Sequence, residues 1–222
     1  MLKRMFMGTL ALGLVVGGMS YLATAGAPKT IGKKAKPKAV QSAEVGSTAP
    51  DFTLVSTTGK AVKLSTYRGK LVVLEWLNHG CPFVKKHYDS FNMQKLQNKY
   101  REQGVVWLSI VSSAPGRQGF YKDGQANELT KSKKANPTAV LKDPSGKVGK
   151  IYQAMTTPHM YVIDKEGKLR YAGAIDSVRS ADPADVKKAE NYVSKALDQL
   201  KAGKKVTTPK TRPYGCSVKY AG

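Results

Sequence analysis

The sequence predicts an α/β fold, a central mixed β-sheet covered by helices on both faces, and three features carry that expectation. Leu71, Val72, Val73, Leu74, Glu75 and Trp76 form a short, nearly unbroken apolar run rich in β-formers, the pattern of a strand buried on both sides. Residues 71–111 read as strand, helix, strand in the proportions of a right-handed crossover. Two late strands, 160–164 and 169–173, flank a turn at Lys165, Glu166 and Gly167, and an amphipathic stretch at 182–200 closes the pattern as a helix.

Residues 49–54 alternate like a strand, 57–60 turn, and 61–64 alternate again, which predicts a first hairpin. The run 71–76 ends at Asn78, His79, Gly80, Cys81 and Pro82, and helical spacing follows to about Tyr100. Apolar positions Val84, Tyr88 and Phe91 change phase to Met93, Leu96 and Tyr100, so a kink or restart is expected at 90–92. A second buried strand at 105–111 leads to a loop at 114–119. A helical segment at 126–134, a short strand at 139–141 and a short helix at 146–154 then precede the late hairpin.

The chain has 222 residues, 37 of them Lys or Arg against 15 Asp or Glu, and a formal charge of +22. Lys3 and Arg4 precede an apolar run from Met5 to Tyr21 and an Ala-x-Ala ending at Ala25, the pattern of a secretory signal at 1–25, with a retained membrane anchor as the alternative. Residues 26–45 are rich in Lys, Ala and Pro and read as a flexible linker; 46–203 read as one domain and 204–222 as a tail carrying Cys216. The lysines are scattered and no nucleic-acid-binding motif appears, so the charge is read as solubility plus attraction to an anionic envelope, with no nucleic-acid partner. The expected location is outside the cytoplasm, periplasmic or secreted, with no stable membrane anchor after cleavage.

Chemistry concentrates at Cys81, beyond the carboxyl end of the central strand, where the loop feeds a helix. Pro82 fits the first helical position, the helix amino end offers unpaired N–H groups, and Lys85 lies one turn along, all of which favour a thiolate. The bland alternative is a buried cysteine that only packs. In an oxidising compartment, two cysteines make at most one bond. Cys216 could fold back as the sulfur that resolves chemistry on Cys81, could form a structural clip with it, or could stay unpaired. His79 and His159 could approach Cys81, tune it or form with it a soft metal site; otherwise no metal or cofactor is expected.

Residues 71–88, with Thr157, Pro158 and the following Val162, Ile163 and Asp164, resemble the redoxin group, which spans thioredoxins and the alkyl hydroperoxide reductase/thiol-specific antioxidant proteins. Ala49, Pro50, Asp51 and Phe52 are typical of the antioxidant branch. The resemblance implies a thioredoxin-like fold over 46–200 and thiol oxidoreductase chemistry on a protein disulfide or a hydroperoxide, with a thiol reductant or protein partner. It implies that Pro158 is a cis-proline facing Cys81, that Thr157 presents its backbone to substrate, and that Glu75 is a buried acid relaying protons to the thiols. An acid satisfied by a lysine is the competing reading of Glu75. Two departures matter. The position three after Cys81 is Val84, which rules out a Cys-x-x-Cys dithiol, and the peroxide-activating Thr and Arg are replaced by Asn78 and Pro158.

Overall fold

The computed structural model describes residues 42–221, so the signal expected at 1–25 and residues 26–41 of the linker lie outside the described residues. Ala43 and Val45 already pack on the domain, and the Ala43 N–H donates to the Ile151 carbonyl at 2.9 Å.

The first hairpin joins β1 (Thr53–Ser56) to β2 (Ala61–Lys63). β3 (Val72–Trp76) is buried at every position, as its unbroken apolar run requires. It feeds α1 (Pro82–Asp89), α2 (Asn92–Glu102) and β4 (Val106–Val111), and β3 and β4 pair in parallel. The expected restart falls on Phe91, whose φ of 58° turns the chain left-handed between the two helices. α3 (Asp123–Ser132), β5 (Ala139–Lys142) and α4 (Lys147–Ile151) follow. Then come β6 (Thr156–Thr157), β7 (His159–Ile163) and β8 (Leu169–Gly173).

The seven-stranded sheet runs β2-β1-β5-β4-β3-β7-β8, with β3, β4 and β5 parallel and the outer strands antiparallel. Alternation along β3 divides the core. Val73 joins Tyr88, Met93, Trp107 and Leu197 beneath α1, α2 and the last helix, whereas Leu74 and Trp76 join Phe52, Ile110, Val148 and Tyr161 on the opposite face.

The last helix corrects the sequence expectation. Residues 182–200 are not one helix but a 3₁₀ segment at Pro183–Lys188 and then α5 (Tyr192–Lys201). Two amino caps explain the split: Asp182 Oδ1 accepts from the Ala184 N–H, and Asn191 Oδ1 accepts from the Ser194 N–H at 2.9 Å. Between them the chain is drawn back to the strand-end loop, with the Glu190 carbonyl accepting from the Ser177 N–H and the Ile175 carbonyl from the Tyr192 N–H. Past α5 the tail returns across the molecule and ends in β9 (Cys216–Ser217), which pairs antiparallel with β6.

Candidate active site

Cys81 is the amino cap of α1, with extended backbone angles and Pro82 at the first helical position. Its carbonyl accepts from the Val84 and Lys85 N–H groups at 3.0 and 2.9 Å, so the first turn closes on the cysteine itself. The preceding loop is held by Asn78, whose Oδ1 accepts from the Gly80 N–H at 2.9 Å and whose Nδ2 donates to the Gln118 carbonyl at 3.3 Å. Asn78, which stands where the resemblance places the peroxide-activating Thr, is 1% exposed, and its amide is engaged in organising this loop.

Opposite the sulfur stands the Thr157-Pro158 cis peptide. The Cys81 thiol donates to the Thr157 carbonyl at 3.1 Å, and the Thr157 hydroxyl is buried without a hydrogen-bond partner. The β6–β9 register makes Thr157 the direct partner of Cys216, so the tail brings the second cysteine over the first. Both are free thiols. Burial alone would push the Cys81 thiol up. The surroundings supplied by Cys216, then by Thr157 and the Val84 backbone, outweigh it and hold the thiol below the usual cysteine range. Cys216 moves the other way, up to about 11, through burial, its hydrogen bond to Cys81 and the nearby Cys81 charge.

Two expectations about Cys81 are corrected here. Chemistry at a cysteine where a strand-end loop feeds a helix implies a reachable sulfur, yet Cys81 is 0% exposed because the returning tail covers it, while Cys216 is half-buried. Lys85 was expected to support the thiolate, but it is exposed, and the groups that lower the thiol are Cys216, Thr157 and the Val84 backbone. Clefts of about 680 and 660 Å³ open elsewhere, and neither Cys81 nor Cys216 lines them.

The tail is fastened along its length. Gly215 passes so close to β6 that a Cβ would stand 2.1 Å from the Thr157 carbonyl oxygen, and its φ of +125° favours glycine. Thr211 Oγ1 accepts from the Ala174 N–H at 2.9 Å, Val218 N–H donates to the Met155 carbonyl at 3.0 Å, and Tyr220 Oη donates to the Ala154 carbonyl at 2.7 Å. Tyr214 enters a buried ionic cluster: its hydroxyl donates to Asp176 Oδ1 and lies 3.3 Å from His87 Nε2. Lys86 Nζ sits 3.2 Å from Asp176 Oδ2 and donates to the Val178 carbonyl at 2.7 Å. Sequence reasoning missed Lys86, Asp176 and Tyr214. A lysine on the same helix as Lys85 carries no mark of burial; the Pro-Tyr-Gly-Cys turn was the available signal for Tyr214.

Glu75 points to the same sheet face as Cys81, fully buried. Its partners are four neutral donors, not a lysine: Tyr88 Oη at 2.9 Å, Trp107 Nε1 at 2.8 Å, Ser109 Oγ at 2.9 Å and Gln97 Nε2 at 3.3 Å. Burial raises its carboxyl above the ordinary range, partly opposed by these hydrogen bonds.

The histidines part company. His79 stacks edge-on against Tyr88 at 4.9 Å on the Cys81 side, with Nδ1 buried and unpartnered. His159 packs on Tyr161 on the opposite sheet face, its Nδ1 engaged by the Met155 N–H and the Tyr161 hydroxyl. The soft metal site of Cys81, His79 and His159 is therefore not assembled, and among the described residues no three His, Cys, Asp or Glu side chains gather as ligands.

Comparison with known proteins agrees with this architecture. The thiol-disulfide oxidoreductase ResA of Bacillus thuringiensis is 27% identical over 57% of this chain and 67% of its own length. ResA of Geobacillus kaustophilus is 30% identical over the same shares. The crystal structure of a hypothetical protein from Sinorhizobium meliloti superposes with a TM-score of 0.68 at 25% identity, covering 82% of this chain and 97% of that one. The fold is thioredoxin-like, as the sequence resemblance implied. With the AhpC/TSA family profile matching residues 45–172, more than half its length, this chain belongs to the AhpC/TSA family.

Proposed function

We propose that this protein is a thioredoxin-like thiol-disulfide oxidoreductase whose redox pair is Cys81 and Cys216. The observation that carries the reading is the partnering of Thr157 with Cys216, which sets one thiol against the other at a helix amino end beside a cis-proline. A second sulfur is what thiol exchange needs to turn over, because it releases the mixed disulfide formed with a partner. The missing local second cysteine is thereby supplied from the end of the chain, with Cys81 as the thiolate nucleophile within the pair. Glu75 is the proton relay, suited by its raised pKa, and Thr157, beside the cis-proline Pro158, holds the pair together, its carbonyl accepting from Cys81 and its backbone pairing with Cys216. The ResA relatives support a protein thiol or disulfide as the partner.

The leader at 1–25, the linker at 26–45, the domain at 46–203 and the tail at 204–222 complete the reading as an exported protein, since a persistent disulfide needs an oxidising compartment. Among the described residues no helix is long and apolar enough to cross a membrane. The test is reduction of insulin disulfides with dithiothreitol as donor. Wild type is expected to accelerate the reaction, and Cys81→Ser and Cys216→Ser to lose the acceleration; equal rates in all three proteins would overturn the assignment.

Hydroperoxide reduction is a second reading, favoured by 31% identity over 98 residues to a protein described as "Probable phospholipid hydroperoxide glutathione peroxidase" of Solanum lycopersicum. It requires a sulfenic acid on Cys81. Dilute peroxide should then leave one trapped oxygen on Cys81 of Cys216→Ser, seen by mass spectrometry, and its absence discards this branch.

A further inference from the structure

In a disulfide exchange the attacking sulfur approaches one sulfur of the bond from the side opposite the other, so the outcome depends on which sulfur has an open far side. In this molecule the two sulfurs differ. Cys81 is 0% exposed, enclosed by the first turn of α1, by Thr157 and by the tail. Cys216 is half-buried on the outer strand of the two-stranded ladder, and its neighbour Ser217 is exposed. The arrangement inverts the usual expectation that the cysteine at the helix amino end meets the partner.

The geometry points to Cys216, not Cys81, as the sulfur that bonds to the partner, with Cys81 acting from inside as the leaving and returning thiolate. This rests on the redox pair proposed above and specifies how that pair meets its partner, a dithiol presented on an extended segment. The steps balance. A partner thiolate attacks Cys216 Sγ of the Cys81–Cys216 disulfide; the new partner–Cys216 bond forms, the intramolecular bond breaks, and Cys81 departs with the electron pair. The partner's second thiolate then attacks its own sulfur in the mixed disulfide, closing the partner's disulfide and releasing Cys216, which takes up a proton. The partner is oxidised by two electrons, and the protein's disulfide is reduced to the Cys81 thiolate and the Cys216 thiol.

The surroundings of Cys81 suit the departing role. The sulfur stands at the amino end of α1 beside Thr157 and Cys216, whose places are fixed before the bond breaks, so the charge forms where the helix terminus favours it. The tail need not leave for this to happen, because Tyr214 and Gly215 keep Cys216 registered on Thr157 throughout.

Two measurements test this on the full chain, with glutathione as the probe. Oxidised wild type is equilibrated with reduced glutathione, quenched in acid, digested and mapped by mass spectrometry. The glutathione adduct is expected on the Cys216 peptide, and an adduct mainly on Cys81 overturns the assignment while leaving the redox pair standing. If the oxidised protein holds no Cys81–Cys216 bond at the outset, the pair and this inference fall together. Independently, oxidised glutathione is reacted with Cys81→Ser and with Cys216→Ser, isosteric changes that keep the tail in place. Rates are taken across pH and expressed per thiolate, because the two thiols ionise differently; on that scale Cys216 in the first variant is expected to take up glutathione at least ~10-fold faster than Cys81 in the second, since access limits the buried sulfur. Equal rates or the reverse order overturn the inference.

Discussion

The hydroxyl of Tyr214 donates to Asp176 Oδ1 inside the protein, two residues ahead of the cysteine that covers Cys81. Asp176 also faces Lys86 at 3.2 Å, and both side chains are nearly devoid of solvent contact. An ionic cluster that is costly to disrupt thus sets the position of the tail. Tyr214→Phe keeps the ring against Phe83 but removes the donor. It should cost about 1–3 kcal/mol in urea unfolding and speed alkylation of Cys81. Unchanged alkylation would show that Tyr214 does not hold the cover. Asp176→Asn leaves Lys86 buried without its counter-charge, and the expected loss is larger, about 3–5 kcal/mol.

Gly215 tests the cover from the other side. In Gly215→Ala the new methyl would meet the Thr157 carbonyl, so β9 has to lift from β6. Cys81 should then react with iodoacetamide faster than in wild type while the main sheet stays folded, as judged by far-ultraviolet circular dichroism. Wild-type protection of Cys81 in this variant would count against the close approach.

Glu75→Gln separates a proton relay from a structural acid. The amide keeps one oxygen toward Trp107, Ser109 and Gln97, and the Tyr88 hydroxyl can turn to accept from the new NH₂. Stability should therefore change by less than about 1 kcal/mol, since the hydrogen bonds are largely conserved. Disulfide exchange at neutral pH should slow by about 100-fold if Glu75 moves the proton. A full rate in a stable variant would assign Glu75 to the core alone.

The histidines predict acid sensitivity. Burial dominates in all three and lowers His79 to about 4, His87 to about 4 and His159 to about 3. Around His87, Asp176 opposes that shift and Lys86 adds to it. Because the folded state favours the neutral rings, their contribution is complete above the unfolded value of about 6.5 and is lost as pH falls from there through about 4. Glu75, whose pKa is raised, works in the opposite sense: its contribution is present below its unfolded value and lost as pH rises through its folded value. Thermal midpoints should fall between pH 6.5 and 4, and His159→Gln should flatten the decline. A midpoint constant over that window would contradict the burial of the neutral rings.

The sheet was legible in the sequence because its central strands are covered on both faces and so carry unbroken apolar runs, as Val72 to Trp76 does. The restart at Phe91 was legible for a similar reason, since a helical stripe that changes phase cannot continue on one face. The split at 189–191 was hidden because the apolar spacing runs through it, and only Asn191, read as an amino cap, marked the new start. At the site, Cys81 was legible through its place at a strand-to-helix junction, and Thr157 and Pro158 through the resemblance to the redoxin group. The seal over Cys81 was not, because it depends on pairing between Thr157 and Cys216, far apart in the chain, and on a lysine whose burial is decided by an aspartate 90 residues away.

Cycling between two thiols and one disulfide is most directly tested by redox titration of the full chain in dithiothreitol buffers, read by intact mass and free-thiol count. The expected result is a single two-electron transition, changing tenfold in ratio for about 30 mV, present in wild type and absent from Cys81→Ser and Cys216→Ser. Two thiols that persist in wild type across the whole range of potentials would contradict it.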